Sequence, residues 1–408
     1  MSKKETWKGL KGAQLKISDE EYKLRFNRLL DYIKNEQLNG TVLFDQYYIL
    51  YYTGFAFIPT ERPIALAIST NGLKVLFVPQ LELEHALLNT LVDRVDYYIE
   101  YPHETHPMAV LKNTLDSLKI QERIGMDYDG YPWIFGYRGP RLSDLTGSFT
   151  KRIAGFIEDQ MMLKSDAELA LIRESVKWGH LAHVLLQRYT KVGATETDVS
   201  RRASMEADLI MLDALGPIYK AQSPFSEGAS AGYRGQIGRQ GAIPHSLANN
   251  ITFQAGDVLV TGAGAPVWGY NSELERTMVI GAATDEQKRM FNHMVALQEI
   301  AFEAIRPGVA CAQVDLAVRN YYEKHNLMRY WRHHVGHAIG LRYHEGPFLD
   351  LGDQTIIQPG MVFTVEPGLY DPEIGGFRHS DTVVVTKTGI EILTYYPREL
   401  ASLTISVL

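Results

Sequence analysis

Twelve polar residues crowd the strand ends and turns of the C-terminal half of this chain, several of them interrupting apolar runs: His245, Glu273, Glu275, His333, His334, His337, His344, Glu345, Glu366, Arg378, His379 and Asp381. Glu366 ends Gly360-Met-Val-Phe-Thr-Val-Glu, and a carboxylate closing so apolar a strand is costly to bury without a partner. His337 is flanked just as tightly, in Val-Gly-His-Ala-Ile-Gly. Taken singly, the first reads as half of a salt bridge and the second as a satisfied core histidine. Together, paired carboxylates and imidazoles are groups that bind cations and move protons near neutral pH.

The elements that must position these residues follow two patterns. From Asp19 to Phe156, helical and strand-like stretches alternate, as in a small α/β domain. A periodic helix spans Glu20 to Asn35, and strands read at 40–44, 65–69, 74–79 and 123–127, with a helical stretch at 81–91. Ser165-Asp-Ala-Glu168 has capping-box spacing and opens a long helix to about Tyr189. The predicted domains are therefore residues 1–158 and 159–408. In the second, Lys191 to Val199 and Arg306 to Val314 each place a Gly stop between a helix and a new helix start. That echo predicts two related helix pairs on one sheet, with strands at 258–261, 277–280, 361–365 and 382–386.

Three ordered segments then carry a resemblance. Gly336-His-Ala-Ile-Gly-Leu-Arg-Tyr-His344-Glu-Gly-Pro, Gly360-Met-Val-Phe-Thr-Val-Glu366-Pro-Gly and Gly375-Gly-Phe-Arg-His-Ser-Asp-Thr382 resemble the creatinase and proline-peptidase, or pita-bread, superfamily. Gly256 to Ala265 and Tyr270 to Thr277 extend the match, which spans about residues 160–400. The implied fold is an α/β N-terminal domain plus an α+β pita-bread C-terminal catalytic domain. Metallopeptidases of this superfamily hold two divalent ions on two Asp, one His and two Glu, a set suited to Mn, Co or Zn. At those positions this chain has Gly262, Glu273, His337, Glu366 and Ser380. With two of the five ligands missing, the expectation is no metal cofactor.

The creatinase branch is metal-free and has a Leu-Glu-Arg-Thr run like Leu274-Glu275-Arg276-Thr277. The likeness implies catalytic roles for His245, Glu275, Glu366 and His337, with His245 shuttling the proton. It implies substrate-binding roles for Arg62, His344, Glu273 and His379, Arg62 clamping a carboxylate across a homodimer interface. Creatinase differs in having His at the position of Ser380 and an Arg where this chain has Pro347-Phe-Leu. The expected function is metal-independent hydrolysis of a C–N bond in a small N-substituted amino acid or related zwitterion. The alternatives are a metal-dependent Xaa-Pro aminopeptidase or dipeptidase, a lyase acting on a small osmolyte, and a binding module that has lost catalysis.

Composition bounds the rest. A formal charge of −7 argues against broad nucleic-acid binding, which needs basic patches, and leaves a small-molecule substrate as the expected partner. The charged opening Met-Ser-Lys-Lys-Glu-Thr-Trp is unlike a signal peptide, and no apolar run approaches a membrane span, so the expected location is cytoplasmic. One cysteine, Cys311, supports neither an intrachain disulfide nor a thiolate metal cluster.

Overall fold

A computed structural model of the chain describes residues 15–407, so the charged opening from Met1 to Trp7 lies outside the described residues. Two compact units divide the chain, one at Ile17–Met161 and the other at Met162–Leu408 together with residues 15–16. The join falls at the end of helix Ala154–Met162, a few residues beyond the predicted boundary.

The first unit begins with helix Asp19–Asn35, where the Ser18 hydroxyl accepts from Glu21 N and three acids occupy the first turn. Both features favour helix initiation there, by filling an orphan N–H and by opposing the macrodipole. Tyr22, Phe26, Leu29 and Ile33 repeat at helical spacing and are buried. The six-stranded sheet runs in the order 94–98, 74–79, 65–69, 40–43, 123–126, 149–152. Its central three strands pair antiparallel and the outer ones join parallel, giving the expected mixed sheet. The outermost strands, 94–98 and 149–152, were not legible because charged and exposed residues break their apolar pattern.

In the second unit the capping box at Ser165 and Glu168 forms and opens helix Asp166–Tyr189. This helix packs on Glu196–Leu215, and helix Asp285–Ala304 packs on Cys311–Lys324. The two echoed segments are the connections within these pairs, which accounts for their common Gly stop followed by a new helix start. The main sheet has eight strands, all paired antiparallel, in the order 345–349, 336–338, 362–365, 380–385, 274–275, 262–264, 230–232, with 390–392 beside 380–385. Several strands are only two to four residues long, too short for period-2 reading. No helix among the described residues is long and apolar enough to cross a membrane.

Two buried ion pairs pin this sheet. Arg276 Nη2 lies 2.8 Å from Asp381 Oδ1, with both side chains fully inaccessible, and the rest of the guanidinium donates to the carbonyls of Glu275, Ser380, Tyr396 and Pro397. Lys164 Nζ meets Glu345 Oε2 at 2.7 Å. Buried charges persist where their donors find acceptors, and each of the five Arg276 donors does.

Candidate metal and substrate site

Neighbouring strands of the eight-stranded sheet bring Glu273, Glu275, His337, Glu366 and Ser380 together from segments as much as 107 residues apart. Two buried threonines fix the backbones that carry the ligands. Thr364 Oγ1 accepts from His337 N at 3.2 Å, and Thr382 Oγ1 both accepts from Glu273 N and donates to Glu273 O at 2.9 Å. Glu366 N donates to Val335 O at 2.7 Å, which anchors the third.

One ligand atom from each of Glu273, His337 and Glu366 lies within 4.8 Å of the others. His337 Nδ1 is 2.9 Å from Ala338 O; a carbonyl only accepts, so Nδ1 carries the hydrogen and Nε2 faces the two carboxylates. Nε2 sits 3.2 Å from Glu366 Oε1, near enough for an ion pair but without hydrogen-bond alignment, and is otherwise an orphaned buried atom. The cluster is therefore short of positive charge. Burial and the carboxylates of Glu366 and Glu275 push Glu273 up to about 7. Burial alone would lower His337, but its contact with Glu366 and the charge of Glu273 carry it up to about 9. Burial opposes the charge on Glu366 too, and contact with His337 and Arg378 nonetheless holds it below the usual carboxylate range.

A nitrogen and two carboxylates around one point suit a single divalent cation, with other coordination positions left open. They do not make a second full set. Gly262 offers no ligand, and Ser380 spends its hydroxyl on Glu273 Oε1 at 2.7 Å.

Glu275 is buried and belongs to a different interaction. Arg378 grips it with two parallel donors, Nη2 to Oε1 at 2.8 Å and a closer contact from Nε to Oε2. Arg378 Nη1 donates to Tyr370 Oη at 3.0 Å, and Tyr370 Oη is 2.7 Å from His333 Nε2. Glu275 as a direct reacting group is thus corrected: its oxygens are filled by guanidinium, and its part is to seat Arg378 beside Glu366, at 3.7 Å. The Arg378 signal was available in Gly375-Gly-Phe-Arg-His-Ser-Asp, but nothing in the sequence gave its partner.

The other predicted residues divide. His344 stacks on His337 with ring centroids 3.9 Å apart and lines a cavity of about 430 Å³ with Glu273 and Glu275. Partial desolvation of this otherwise exposed ring against the cavity wall, with the nearby His337, takes its imidazole down to about 4, so it is neutral at pH 7. His245 is exposed on a turn and close enough to His344 to act on it electrostatically. His379 is a correction: it is fully buried, accepts from Thr277 N on Nδ1, contacts Arg398 O through Nε2 and packs edge-on to Phe291, away from the cavity. Alternation between His379 and the following Ser380, which faces Glu273, places it on the opposite face. Arg62 lies in the first unit, where its fork is filled by Glu61 and Glu100.

The comparisons agree with this geometry. Residues 170–387 match the model of metallopeptidase family M24, and residues 25–138 match the creatinase/prolidase N-terminal domain. The Xaa-Pro dipeptidase of Pyrococcus horikoshii is 31% identical over 251 residues, 61% of this chain and 67% of that protein. Among solved structures, the dipeptidase PepE from Mycobacterium ulcerans superposes with a TM-score of 0.77 at 25% identity, covering 96% of this chain and 100% of that one. An Xaa-Pro dipeptidase from Bacillus anthracis gives 0.76 at 23%, covering 93% and 99%. These findings correct two expectations. The absence of a metal cofactor is overturned by membership of a metallopeptidase family and by the intact Glu273, His337 and Glu366 group. The creatinase-like, metal-independent reading gives way with it, since these relatives are dipeptidases. By sequence and by fold this chain is a hydrolase that belongs to metallopeptidase family M24, behind a creatinase/prolidase N-terminal domain.

Proposed function

We propose that the protein is a metal-dependent dipeptidase acting on short substrates of the Xaa-Pro type, with one divalent cation held by Glu273, His337 and Glu366. The observation that carries this reading is the orphaned Nε2 of His337, buried between two carboxylates, with Nδ1 committed to Ala338 O so that Nε2 is the atom a cation would take in place of its proton. Bound there, a cation would supply Lewis-acid polarisation and an acidified water.

The protein's own groups do the remainder. Ser380 and Thr382 hold Glu273 in place, and Arg378 sets the charge around Glu366. The neutral His344 imidazole, at the cavity wall, takes up a proton on a ring nitrogen and returns it to the leaving amine. His245 lies exposed nearby, within electrostatic range of His344. The cavity is large enough to admit a dipeptide-sized molecule.

The test is hydrolysis of glycyl-proline by dialysed protein with Mn, Co or Zn restored one at a time, beside elemental analysis. The expected result is about one retained ion per chain and activity abolished by chelation. Turnover unchanged by exhaustive chelation would sink this reading.

A further inference from the structure

The cavity beside the ligand group is lined by one basic side chain among the described residues, Arg234, a residue that nothing in the sequence motifs marks. It lies on the loop after strand 230–232 with φ +51°, in the left-handed region that costs a branched-free L-residue about 1 kcal/mol or more. Gly235 follows at φ +74°, so two successive residues share that conformation. The loop is held there from both sides. Before it, the fully buried Tyr233 bonds through its hydroxyl to Thr190. After it, Gly235 N donates to Glu196 Oε2 at 2.7 Å, and any Cβ on Gly235 would collide with Leu247 O. The strain is thus stabilised by buried contacts, and its effect is to turn the Arg234 side chain into the cavity.

Arg234 and Arg378 share Glu275 but in unlike states. Arg378 is buried and its donors are used. Arg234 is half-exposed and engages through Nη2 alone, to Glu275 Oε1 at 2.9 Å and weakly to Gln236 Oε1 at 3.4 Å. Its Nε and Nη1 face no partner among the described residues. Arg378 also faces Glu366 at 3.7 Å, whereas Arg234 leaves two of its three nitrogens open to an anionic ligand entering the cavity. Glu273 and Glu275 are separated by one strand repeat, about 7 Å, so an anion on Arg234 sits within one or two residues of the metal-ligand group.

We infer that Arg234 is a specificity-determining residue that grips the free C-terminal carboxylate of the substrate from within the catalytic unit. This rests on the dipeptidase reading above and narrows it: the enzyme takes free acids and discriminates against their amides and against longer peptides. Arg62, whose fork is filled by Glu61 and Glu100, is not required for that contact.

The experiment compares glycyl-proline with glycyl-prolinamide on the metal-loaded wild type and on Arg234→Gln. Glu275 keeps Arg378 in the variant, so the fold should survive, and an unchanged melting temperature verifies that. The expected result is a wild-type KM at least about tenfold lower for the acid, a difference erased in the variant, with kcat nearly unchanged and the amide unaffected. Arg234→Lys should recover only part of the preference. A variant that keeps the acid preference, or one that weakens acid and amide equally, overturns the inference. If neither compound is hydrolysed by wild type, the dipeptidase reading fails, and calorimetric titration with glycyl-proline decides Arg234 separately: binding lost in the variant supports it, equal binding or none by wild type rejects it.

Discussion

Ser380 Oγ donates a 2.7 Å hydrogen bond to Glu273 Oε1. The residue that stands where superfamily metallopeptidases carry their last ligand carboxylate has become the support of a surviving ligand. Ser380→Ala should therefore lower affinity for the cation about 10–100-fold, the usual effect of removing such a support. Titration against a chelating dye measures it, and an unchanged affinity would show that the hydrogen bond does not orient Glu273.

The same site can be asked to accept a second ion. A Cβ at Gly262 would meet only Glu275 Oε1, at an ordinary 3.7 Å, and the residue is not in the left-handed region. Gly262→Asp combined with Ser380→Glu should raise the retained metal from about one to about two ions per chain. Elemental analysis after dialysis is the readout, and a stoichiometry that stays at one would mean Arg378 and Arg234 repel a second cation too strongly.

His344 and His245 are both exposed, so replacing either should hardly touch stability, within about 0.5 kcal/mol. His344→Asn should lower kcat by roughly 10²-fold or more if it relays the proton, and His245→Asn by less. A melting temperature that falls while turnover is kept would assign them structural roles.

Arg276 and Asp381 are both at 0% exposure. Asp381→Asn leaves a buried guanidinium without its counter-charge and should cost about 3–5 kcal/mol in urea unfolding. A loss below about 1 kcal/mol would show that the four carbonyl acceptors around Arg276 suffice alone.

In the first unit, burial pushes Asp127 up to about 7, although backbone N–H groups of Phe44, Asp45 and Tyr128 partly oppose this. Its folded pKa lies above the unfolded value of about 3.9, so between those two values the native state holds a proton that the unfolded chain has lost. Stability should consequently fall as pH rises through that window, by up to about 1.4 kcal/mol per unit from this group, and level off above it. Asp127→Asn should flatten the slope. Unfolding midpoints of the two proteins from pH 4 to 8 that run parallel would contradict the assignment.

Local signals were enough for much of this molecule. Ser165 and Glu168 announce a helix start because capping chemistry is confined to four residues. The strands at 65–69 and 74–79 are legible because they are buried and flanked by turns. The superfamily, the two-unit division, His337 and Glu366 are all carried by contiguous motifs.

What only the tertiary structure decided is which groups meet across strands. Glu275 looks like a reactive acid until Arg378, 103 residues on, is seen to occupy both its oxygens. Gly262 and Ser380 look like a dismantled metal site until Glu273, His337 and Glu366 are found converging within 4.8 Å. Arg234 has no motif at all; a left-handed backbone pinned by Thr190 and Glu196 puts it in the cavity. Pairing register and loop conformation depend on contacts between residues far apart in the chain, and charge balance in a buried site depends on all of its members at once.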